Sequence, residues 1–427
     1  MARKKSADDQ PSRGPDAAFL EDILAHPDDM TPRLIYADWL MDNGDAERGE
    51  FIRVQIELDR AEEYSPRWRE LKKRQDHFLD TRKKQWAQPL QGMALYLRFF
   101  RGFVENVTVN VRSFLGRGEK MFRLTPLREV KCSLGYGERR TPLADVVASP
   151  LWTRLRGLDL EGTDLDDTDA RTLADAPTLK GLTALNLERS RVGADGVYVL
   201  AQSSNLAGLQ ILNLTGQLYL IQPRPARAGP EILQAFQRAP AFQNLRDLNL
   251  KQRELTDESV ATFVRSDCPM SLTALRLDGN RNLSDATLEA IARAPRLANL
   301  QVLSVKDCGS MTDAGVRALA LSPHVRGLKQ LDLGCEPSFL VRALQTETDR
   351  VTDAGVRALA GAPSLAGLRY LSLQGHRITD DGARAIAESP HLAQLGHLNL
   401  RDTGVGTEAK KVLRQRYGPG VCTFSAP

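Results

Sequence analysis

The segment MTDAGVRALALSP, at residues 311–323, returns as VTDAGVRALAGAP at residues 351–363 and as ITDDGARAIAESP at residues 378–390. In each copy, Thr before Asp supplies an N-cap oxygen for free backbone N–H groups, and Asp favours the positive end of a helix. The alanine and leucine positions form a narrow apolar stripe of small side chains, and proline ends the segment. Each copy therefore predicts one short helix that can lie close to a strand.

A second pattern, L-x-x-L-x-L, precedes these helices and is typical of a short buried strand. It occurs nine times, at spacings of 27, 27, 36, 27, 28, 28, 40 and 27 residues, starting at Leu155, Leu182, Leu209, Leu245, Leu272, Leu300, Leu328, Leu368 and Leu395. Two weaker copies start at Val104 and Leu127. One strand and one helix cannot bury their own apolar faces, so neighbouring units must stack, strand on strand and helix on helix.

These units resemble leucine-rich repeats of the ribonuclease-inhibitor-like subtype over residues 100–427. The resemblance implies an α/β fold, a right-handed solenoid with a parallel concave sheet and convex helices. The consensus Asn or Cys after each strand is kept at Asn280 and Cys308 and replaced by Thr163, Ser190 and His376. That position usually hydrogen-bonds the turn backbone, so we interpret Cys308 as structural.

The amino-terminal quarter predicts a small all-α domain. Its apolar periodicity and its Thr31-Pro32 and Ser65-Pro66 start signals indicate four helices, at residues 16–26, 33–43, 47–63 and 66–86. We therefore expect three segments: a disordered tail at 1–15, a helical domain at 16–90, and a solenoid at 91–427 that includes an entry cap at 91–126 and an exit cap at 403–427.

Residues 19–58 resemble the bacterial repeat-companion domain, a module found beside leucine-rich repeats. The resemblance rests on PRLIYADWL at 32–40, on Gly44-Asp45 and on RGEFI at 48–52. That family has no established chemistry, so it implies architecture and not mechanism. We expect Asp38 to pair with Arg48 across the turn between two helices, as scaffold in preference to a partner-binding surface.

Composition places the chain among ordinary globular proteins. Its 427 residues carry a formal net charge of +4, and 42% of them are hydrophobic. The five cysteines are scattered without a CxxC pair, which indicates reduced thiols in a cytoplasmic protein. The sequence has no apolar h-region behind its first basic residues and no run of 18 apolar residues, so we expect neither a signal peptide nor a membrane span.

Charge is segregated in the amino-terminal quarter. Residues 17–63 hold 13 acidic and 4 basic residues, whereas residues 66–90 hold 8 basic and 3 acidic residues. The basic helix at 66–86 has two interpretations, a nucleic-acid or membrane patch and a helix packed beside an acidic bundle. The second is favoured because no recognised nucleic-acid motif accompanies the charge.

The sequence offers no recognisable catalytic machinery. It lacks a Walker A loop, a GxGxxG turn, HExxH and GxSxG, and its six histidines share no metal spacing. The carboxylate pairs Asp28-Asp29, Asp166-Asp167 and Asp380-Asp381 fall at predicted helix starts, where capping explains them. We therefore expect a protein that is not an enzyme, with no catalytic residue, cofactor or metal.

The concave face is the expected binding surface, because residues between the leucines point outward and lie about 5 Å apart on neighbouring strands. Its two ends differ in the candidate partner-binding residues that they present: Asp159, Glu161 and Glu188 form an acidic end, and Tyr370, Gln374, His397 and Arg401 form an aromatic and basic end, with Tyr370 stacked beside His397. Tyr and Arg are frequent binding hot spots. An ordinary solvated polar face is the competing interpretation.

Insertions lengthen two repeats just after the strand, at residues 215–231 and 334–350. Both must emerge at the same edge of the solenoid, often the binding edge. Several of their side chains are apolar and either fold back on the solenoid or meet a partner: Leu218, Tyr219, Leu220, Ile221, Phe339, Leu340 and Val341.

The sequence thus predicts a cytoplasmic protein-interaction module or scaffold that binds a protein partner through the concave sheet and edge loops, while the helical domain docks elsewhere. One alternative is a regulator, an inhibitor or activator, of another enzyme. The other is nucleic-acid binding through helix 66–86, which we do not favour. Neither the partner nor the oligomeric state follows from the sequence.

Overall fold

A computed structural model of the protein describes residues 16–135, 137, 140–216, 229–237, 239–266, 271–336 and 350–425. The predicted tail at 1–15 and most of the two insertions, with all their apolar residues named above, lie outside the described residues. The chain forms two compact units. The first comprises the described residues up to Glu62 together with Arg67–Val130, and the second comprises Glu63–Pro66 and the described residues from Lys131 onward.

Four helices open the chain, α1 (Ala17–Ala25), α2 (Thr31–Asp42), α3 (Ala46–Arg60) and α4 (Pro66–Trp86). Their number agrees with the sequence prediction, but α3 ends at Arg60 instead of residue 63. Thr31 lies inside α2 instead of capping it, and its N–H donates to the Asp29 carboxylate at 2.8 Å. The side chain of Asp29, two residues upstream, therefore takes the capping role.

A β-hairpin belongs to the first unit. Strand β1 (Tyr96–Phe100) pairs antiparallel with β2 (Phe103–Asn110), and helix α5 (Val111–Leu124) follows. The two turn residues, Arg101 and Gly102, have φ of 47° and 88°, and tight two-residue hairpins require such positive values. The first unit thus extends to Val130, whereas the sequence placed a domain boundary at residue 90 and assigned 91–126 to the solenoid.

Side-chain contacts explain why the hairpin joins the helices. Arg33 of α2 is fully buried and donates to Glu105 of β2 at 2.7 Å. The ring of Phe51 on α3 lies edge-on to that of Phe99 on β1, with centroids 5.7 Å apart. Apolar and ionic groups of the hairpin are therefore buried by the helices, and a buried ion pair of this kind requires both partners in place.

Arg48 and Asp38 do not pair, contrary to the sequence prediction. Arg48 points inward, where its guanidinium lies 4.8 Å from the Trp86 ring centroid and donates to the Gly102 carbonyl at 2.5 Å. Burial lowers the pKa of Arg48 to about 10. Asp38 is exposed and accepts a hydrogen bond from Arg53 instead. The aromatic surroundings of Arg48, and not a carboxylate, fix its position.

The second unit is built from the predicted repeats. Strand β3 (Glu129–Ser133) begins in the first unit and ends in the second. Each of the nine L-x-x-L-x-L segments then forms one strand: β4 (Gly157–Asp159), β5 (Ala184–Asn186), β6 (Ile211–Asn213), β7 (Asp247–Asn249), β8 (Ala274–Arg276), β9 (Val302–Ser304), β10 (Gln330–Asp332), β11 (Tyr370–Ser372) and β12 (His397–Asn399). They pair in parallel and in chain order, with their central leucines in register.

Helices alternate with these strands and pack against the next helix in the chain. They are α6 (Leu143–Val147), α7 (Asp167–Asp175), α8 (Ala194–Gln202), α9 (Gly229–Ala235), α10 (Asp257–Arg265), α11 (Asp285–Ala292), α12 (Asp313–Ala320), α13 (Asp353–Ala360), α14 (Asp380–Glu388) and α15 (Thr407–Tyr417). The central leucine of each strand is buried, and most flanking residues are half-buried. The predicted α/β solenoid is thereby confirmed.

Aspartates at the helix starts connect each repeat to the next. Thr352 caps its own helix α13 and donates its N–H and hydroxyl to the Asp313 carboxylate of the preceding repeat, at 2.8 and 2.6 Å. Gly355 donates its N–H to the same carboxylate at 2.9 Å, and a Cβ at this glycine would lie 2.5 Å from it. The Thr-Asp-x-Gly sequence is therefore an inter-repeat connection as well as a helix cap.

The polar position after the strand is buried in several repeats, among them those of Asn280, Cys308 and His376. Asn280 donates to the carbonyls of Leu250 and Leu277 at 3.0 and 2.6 Å, and Cys308 contacts the Leu277 carbonyl at 3.2 Å. His376 takes the same place, with Nε2 2.7 Å from the Leu333 carbonyl and Nδ1 accepting from the Val351 N–H at 3.2 Å. These contacts support the structural interpretation of Cys308.

A short terminal strand closes the repeats. Strand β13 (Cys422–Thr423) pairs in parallel with β12, as the sequence predicted for this segment. Val421 beside it is fully buried, and Phe424 lies under the side chains of Lys410 and Arg414 of α15. The last repeat therefore shares its strand edge and apolar face with its own carboxyl-terminal segment.

Candidate binding surface on the open face of the sheet

Two rings stack at the carboxyl end of the open face, the face opposite the helices. Tyr370 on β11 and His397 on β12 are register partners, and their ring centroids lie 5.0 Å apart with planes 6° from parallel. The parallel ladder produces this stack because equivalent residues of adjacent strands lie about 5 Å apart. The predicted stacking of Tyr370 beside His397 is confirmed.

A third ring, Tyr64, was missed by the sequence analysis. It belongs to the short segment Glu63–Pro66 of the second unit, and its centroid lies 5.2 Å from Tyr370 and 5.8 Å from His397. We name Tyr64, Tyr370 and His397 the ring patch. The sequence does contain a signal for this position, an aromatic residue directly before the Ser65-Pro66 helix start. The signal was not used because helix 47–63 was predicted to end immediately before Tyr64.

Backbone contacts hold Tyr64 in place. A Cβ at Gly396 would lie 1.8 Å from the Tyr64 carbonyl oxygen, so only glycine permits this approach. Tyr64 itself has φ of 63°, an uncommon value for a residue with a Cβ. Beside it, the Gln330 amide donates to the Glu63 carboxylate at 2.6 Å. The carboxyl end of the open face is therefore partly covered by the chain's own residues 63–66.

The ring patch is electrically neutral near pH 7. Burial raises the pKa of Tyr64 to about 12 and also raises that of Tyr370, whose hydroxyl donates to Asp332 at 3.2 Å. Burial and the nearby Arg401 guanidinium lower the pKa of His397. All three rings are half-buried, so each presents part of its surface to solvent.

Gln374 and Arg401 adjoin the ring patch as predicted, but they differ in how many partners their side chains have. Gln374 is engaged by two neighbours, since it donates to Asp402 and accepts from Asn399, both at 3.1 Å. Arg401 is exposed, and among the described residues its guanidinium makes no ion pair. The predicted aromatic and basic end therefore consists of a neutral ring patch beside one available cation.

The three carboxylates at the amino-terminal end of the open face lie beside two cations. Lys131 forms an ion pair with Glu161 and lies 3.9 Å from Asp159. Arg189 lies 3.5 Å from Glu161 and 4.0 Å from Glu188. The column positions of the repeats do not predict these ion pairs, because Lys131 lies on β3 and Arg189 follows β5.

Charges in the middle of the open face are also paired. Arg276 forms an ion pair with Asp247 on the preceding strand, and Lys251 lies 2.6 Å from Asp278 on the following one. Lys306 lies 2.5 Å from Glu336. Cross-strand pairs of this kind stabilise adjacent strands. Little net charge remains there for a ligand.

The basic helix α4 lies against acidic residues of α3 within the first unit. Arg67 donates to the two carboxylate oxygens of Glu57 at 2.5 and 2.6 Å, and Arg74 and Arg82 pair with Glu50 and Glu47. Three of its basic residues thus serve helix packing, which supports the interpretation of α4 as one side of an acidic bundle.

Neither a metal centre nor a membrane-spanning helix is found among the described residues. Within them, no group of three or more His, Cys, Asp or Glu side chains is arranged to hold a metal ion. None of the described helices combines the length and apolar character required to cross a membrane. The predicted carboxylate cap is present at Asp166, which accepts from the N–H groups of Thr168 and Asp169 at 2.9 and 3.2 Å. At the pair Asp380-Asp381 the prediction is wrong, because Thr379 caps helix α14 and Asp380 accepts from the Gly406 N–H of the next repeat.

One comparison with known proteins, the match to a family model, agrees with the repeat geometry. A family model described as "Leucine Rich repeat" matches residues 296–320 and 368–387, which contain β9 with α12 and β11 with most of α14. No curated protein matches the chain significantly. Among solved structures, the crystal structure of a TLR13–ssRNA13 complex is similar at 14% identity with a TM-score of 0.38, covering 71% of this chain and 40% of that chain. Strand register and repeated helices show the leucine-rich repeat fold, and the family model assigns that repeat to residues 296–320 and 368–387.

Proposed function

We propose that this chain is a non-enzymatic binding module that holds a protein partner on the open face of its sheet, centred on the ring patch and Arg401. Leucine-rich repeats generally serve as binding modules for proteins or other ligands. The observation that carries the proposal is the combination of three half-buried, neutral rings with one exposed, unpaired guanidinium.

The chemistry of this end suits a protein surface. Tyrosine rings that are already packed lose little freedom on binding, and Tyr and Arg dominate binding energy at protein interfaces. Arg401 offers a fork of N–H donors to a partner carboxylate. The acidic end, where Lys131 and Arg189 compensate part of the charge of Asp159, Glu161 and Glu188, is proposed only as a secondary contact.

The remaining expectations stay proposals of the same kind. The helical residues 16–90 are proposed to be a bacterial repeat-companion domain, the repeats to be of the ribonuclease-inhibitor-like subtype, and the protein to be cytoplasmic. A partner that is itself an enzyme would make the chain a regulator. Nucleic-acid binding through helix 66–86 is less supported, because Arg67, Arg74 and Arg82 are engaged by α3.

Quantitative affinity capture from host lysate with the full chain tests this function. We expect the partner to be retained by the wild-type chain and depleted by Arg401→Glu and Tyr370→Ala, since a hot-spot loss of about 2 kcal/mol lowers affinity roughly 30-fold. Arg384→Glu is the matched control, an exposed arginine on helix α14. Equal capture by Arg401→Glu and Arg384→Glu, or a larger loss with Glu188→Ala, would refute the ring patch as the binding centre.

A further inference from the structure

A groove of about 520 Å³ lies within the first unit, along strand β1 and between that strand and helices α3 and α4. Its apolar lining includes Trp68 and Leu79 of α4 together with Leu97 and Phe100 of β1. The groove is independent of the ring patch and of the proposed function. Five consecutive residues, 97–101, contribute to its lining.

Strand β1 is the edge of its sheet in the described part of the chain, where it pairs with β2 alone. An edge strand presents backbone N–H and C=O groups that a further strand can pair with. Proteins usually protect such an edge, but here two large side chains are exposed, Tyr96 by 71% and Phe100 by 44%. The edge therefore combines strand backbone with apolar surface, although the Phe99 carbonyl of β1 already accepts a hydrogen bond from the Gln55 amide at 3.1 Å.

Two unpaired cations border the groove. Lys83 and Arg98 line it, and neither has a carboxylate within ion-pair distance among the described residues. By contrast, Lys72 pairs with Asp76, and Arg101 pairs with Glu105, although both also line the groove. One lining residue, Asp59, is acidic. The groove thus carries positive charge that the protein itself leaves uncompensated.

From these three features we infer that the groove binds an acidic peptide segment of a partner protein in extended conformation. The peptide pairs its backbone with the free edge of β1, as in recognition by strand addition. Alternate side chains of the bound strand then point to opposite sides. An apolar side chain packs on Trp68 and Phe100, and carboxylates meet Arg98 and Lys83.

The lining favours a peptide over other polyanions. A nucleic-acid backbone is bound by a continuous track of cations, whereas Arg67, Arg74 and Arg82 on the same helix are engaged by carboxylates of α3. Nucleic acid and anionic membrane are therefore competing occupants that the experiment must exclude.

Fluorescence anisotropy of a labelled peptide with the full chain tests the inference. The probe has roughly seven residues, enough to pair along a five-residue strand, with Glu alternating with Val and one central Phe. We expect saturable binding that Arg98→Glu and Lys83→Glu each weaken by at least about ten-fold, one order of magnitude in Kd. Lys84→Glu is the matched control, because Lys84 adjoins Lys83 on α4 and lies outside the groove lining.

A second probe separates strand addition from charge attraction alone. The same peptide with alternate backbone amides N-methylated keeps its charges and loses the donors that a new strand needs, so we expect it to bind at least about ten-fold more weakly. Circular dichroism confirms that the variants remain folded. The inference is overturned if no saturable binding occurs up to about 1 mM peptide. It is also overturned if the N-methylated peptide binds as tightly as the unmodified peptide. A third contrary result is that Arg98→Glu and Lys83→Glu weaken binding of duplex DNA or phosphatidylserine vesicles but leave binding of the peptide unchanged.

Discussion

Replacing Asp313 by alanine removes one complete connection between neighbouring repeats. The carboxylate accepts from the Thr352 N–H at 2.8 Å, the Thr352 hydroxyl at 2.6 Å and the Gly355 N–H at 2.9 Å. A hydrogen bond to a charged group contributes about 1.5–3 kcal/mol, and three bonds to one group are not additive. Because Thr352 and Gly355 are partly solvated in the variant, we expect a total loss of about 3 kcal/mol.

Urea unfolding followed by far-ultraviolet circular dichroism measures this loss, together with amide hydrogen exchange across α13. In a solenoid, stability is approximately a sum over neighbouring repeats, so exchange should accelerate first in α12 and α13. Asp381→Ala is the matched control: this aspartate lies at the start of α14, is exposed, and lies 3.5 Å from Arg384. We expect the control to cost less than about 0.5 kcal/mol.

The result that would refute the reasoning is an Asp313→Ala variant whose urea midpoint equals that of Asp381→Ala. In that case the Thr-Asp-x-Gly sequence would act only within its own helix. A conservative variant, Asp313→Asn, keeps an acceptor for the two N–H groups and loses the charge, so its midpoint should fall between those of the wild type and Asp313→Ala.

Three further predictions concern the repeats. Burial lowers the pKa of His376 from 6.5 to about 4, so the folded state favours the neutral ring. The free energy of unfolding should therefore fall by up to about 3 kcal/mol as the pH decreases from 6.5 to 4. His376→Asn should flatten this part of the plot of unfolding free energy against pH, and an unchanged slope would contradict the assignment. Cys132, Cys308 and Cys335 are buried free thiols, so reducing agent should leave the thermal midpoint unchanged, whereas a fall of several degrees would reveal a disulfide. Truncation at Gly406 removes α15 and β13 and should expose Leu398 and Leu400, giving aggregation in size-exclusion chromatography; a soluble monomer would count against the cap.

On the open face, the repeat spacing predicts some side-chain contacts and not others. Register partners such as Tyr370 and His397 follow directly from the repeat spacing, so their stacking could be predicted. The neutralisation of Glu161 by Lys131 could not, because Lys131 lies on β3, where the repeat pattern is weak. The net charge of a region of the open face can be judged only when the side chains of every neighbouring strand are included.

The sequence by itself determined the solenoid. Periodic leucines, helix caps and breakers act over a few residues, and their repetition leaves only one way to bury the apolar faces, by stacking. All nine strands, the four amino-terminal helices and the terminal strand β13 were therefore predictable from local patterns.

Tertiary structure alone decided which distant groups meet. Arg48 packs against aromatic rings and does not pair with Asp38, and the hairpin at 96–110 packs with the amino-terminal helices. Glu63 accepts a hydrogen bond from Gln330, which lies 267 residues away in the sequence. These choices depend on which side chains the whole chain can desolvate together, and no local pattern encodes that competition. The position of Tyr64 on the ring patch, and with it the composition of the proposed binding surface, is for that reason a property of the folded chain.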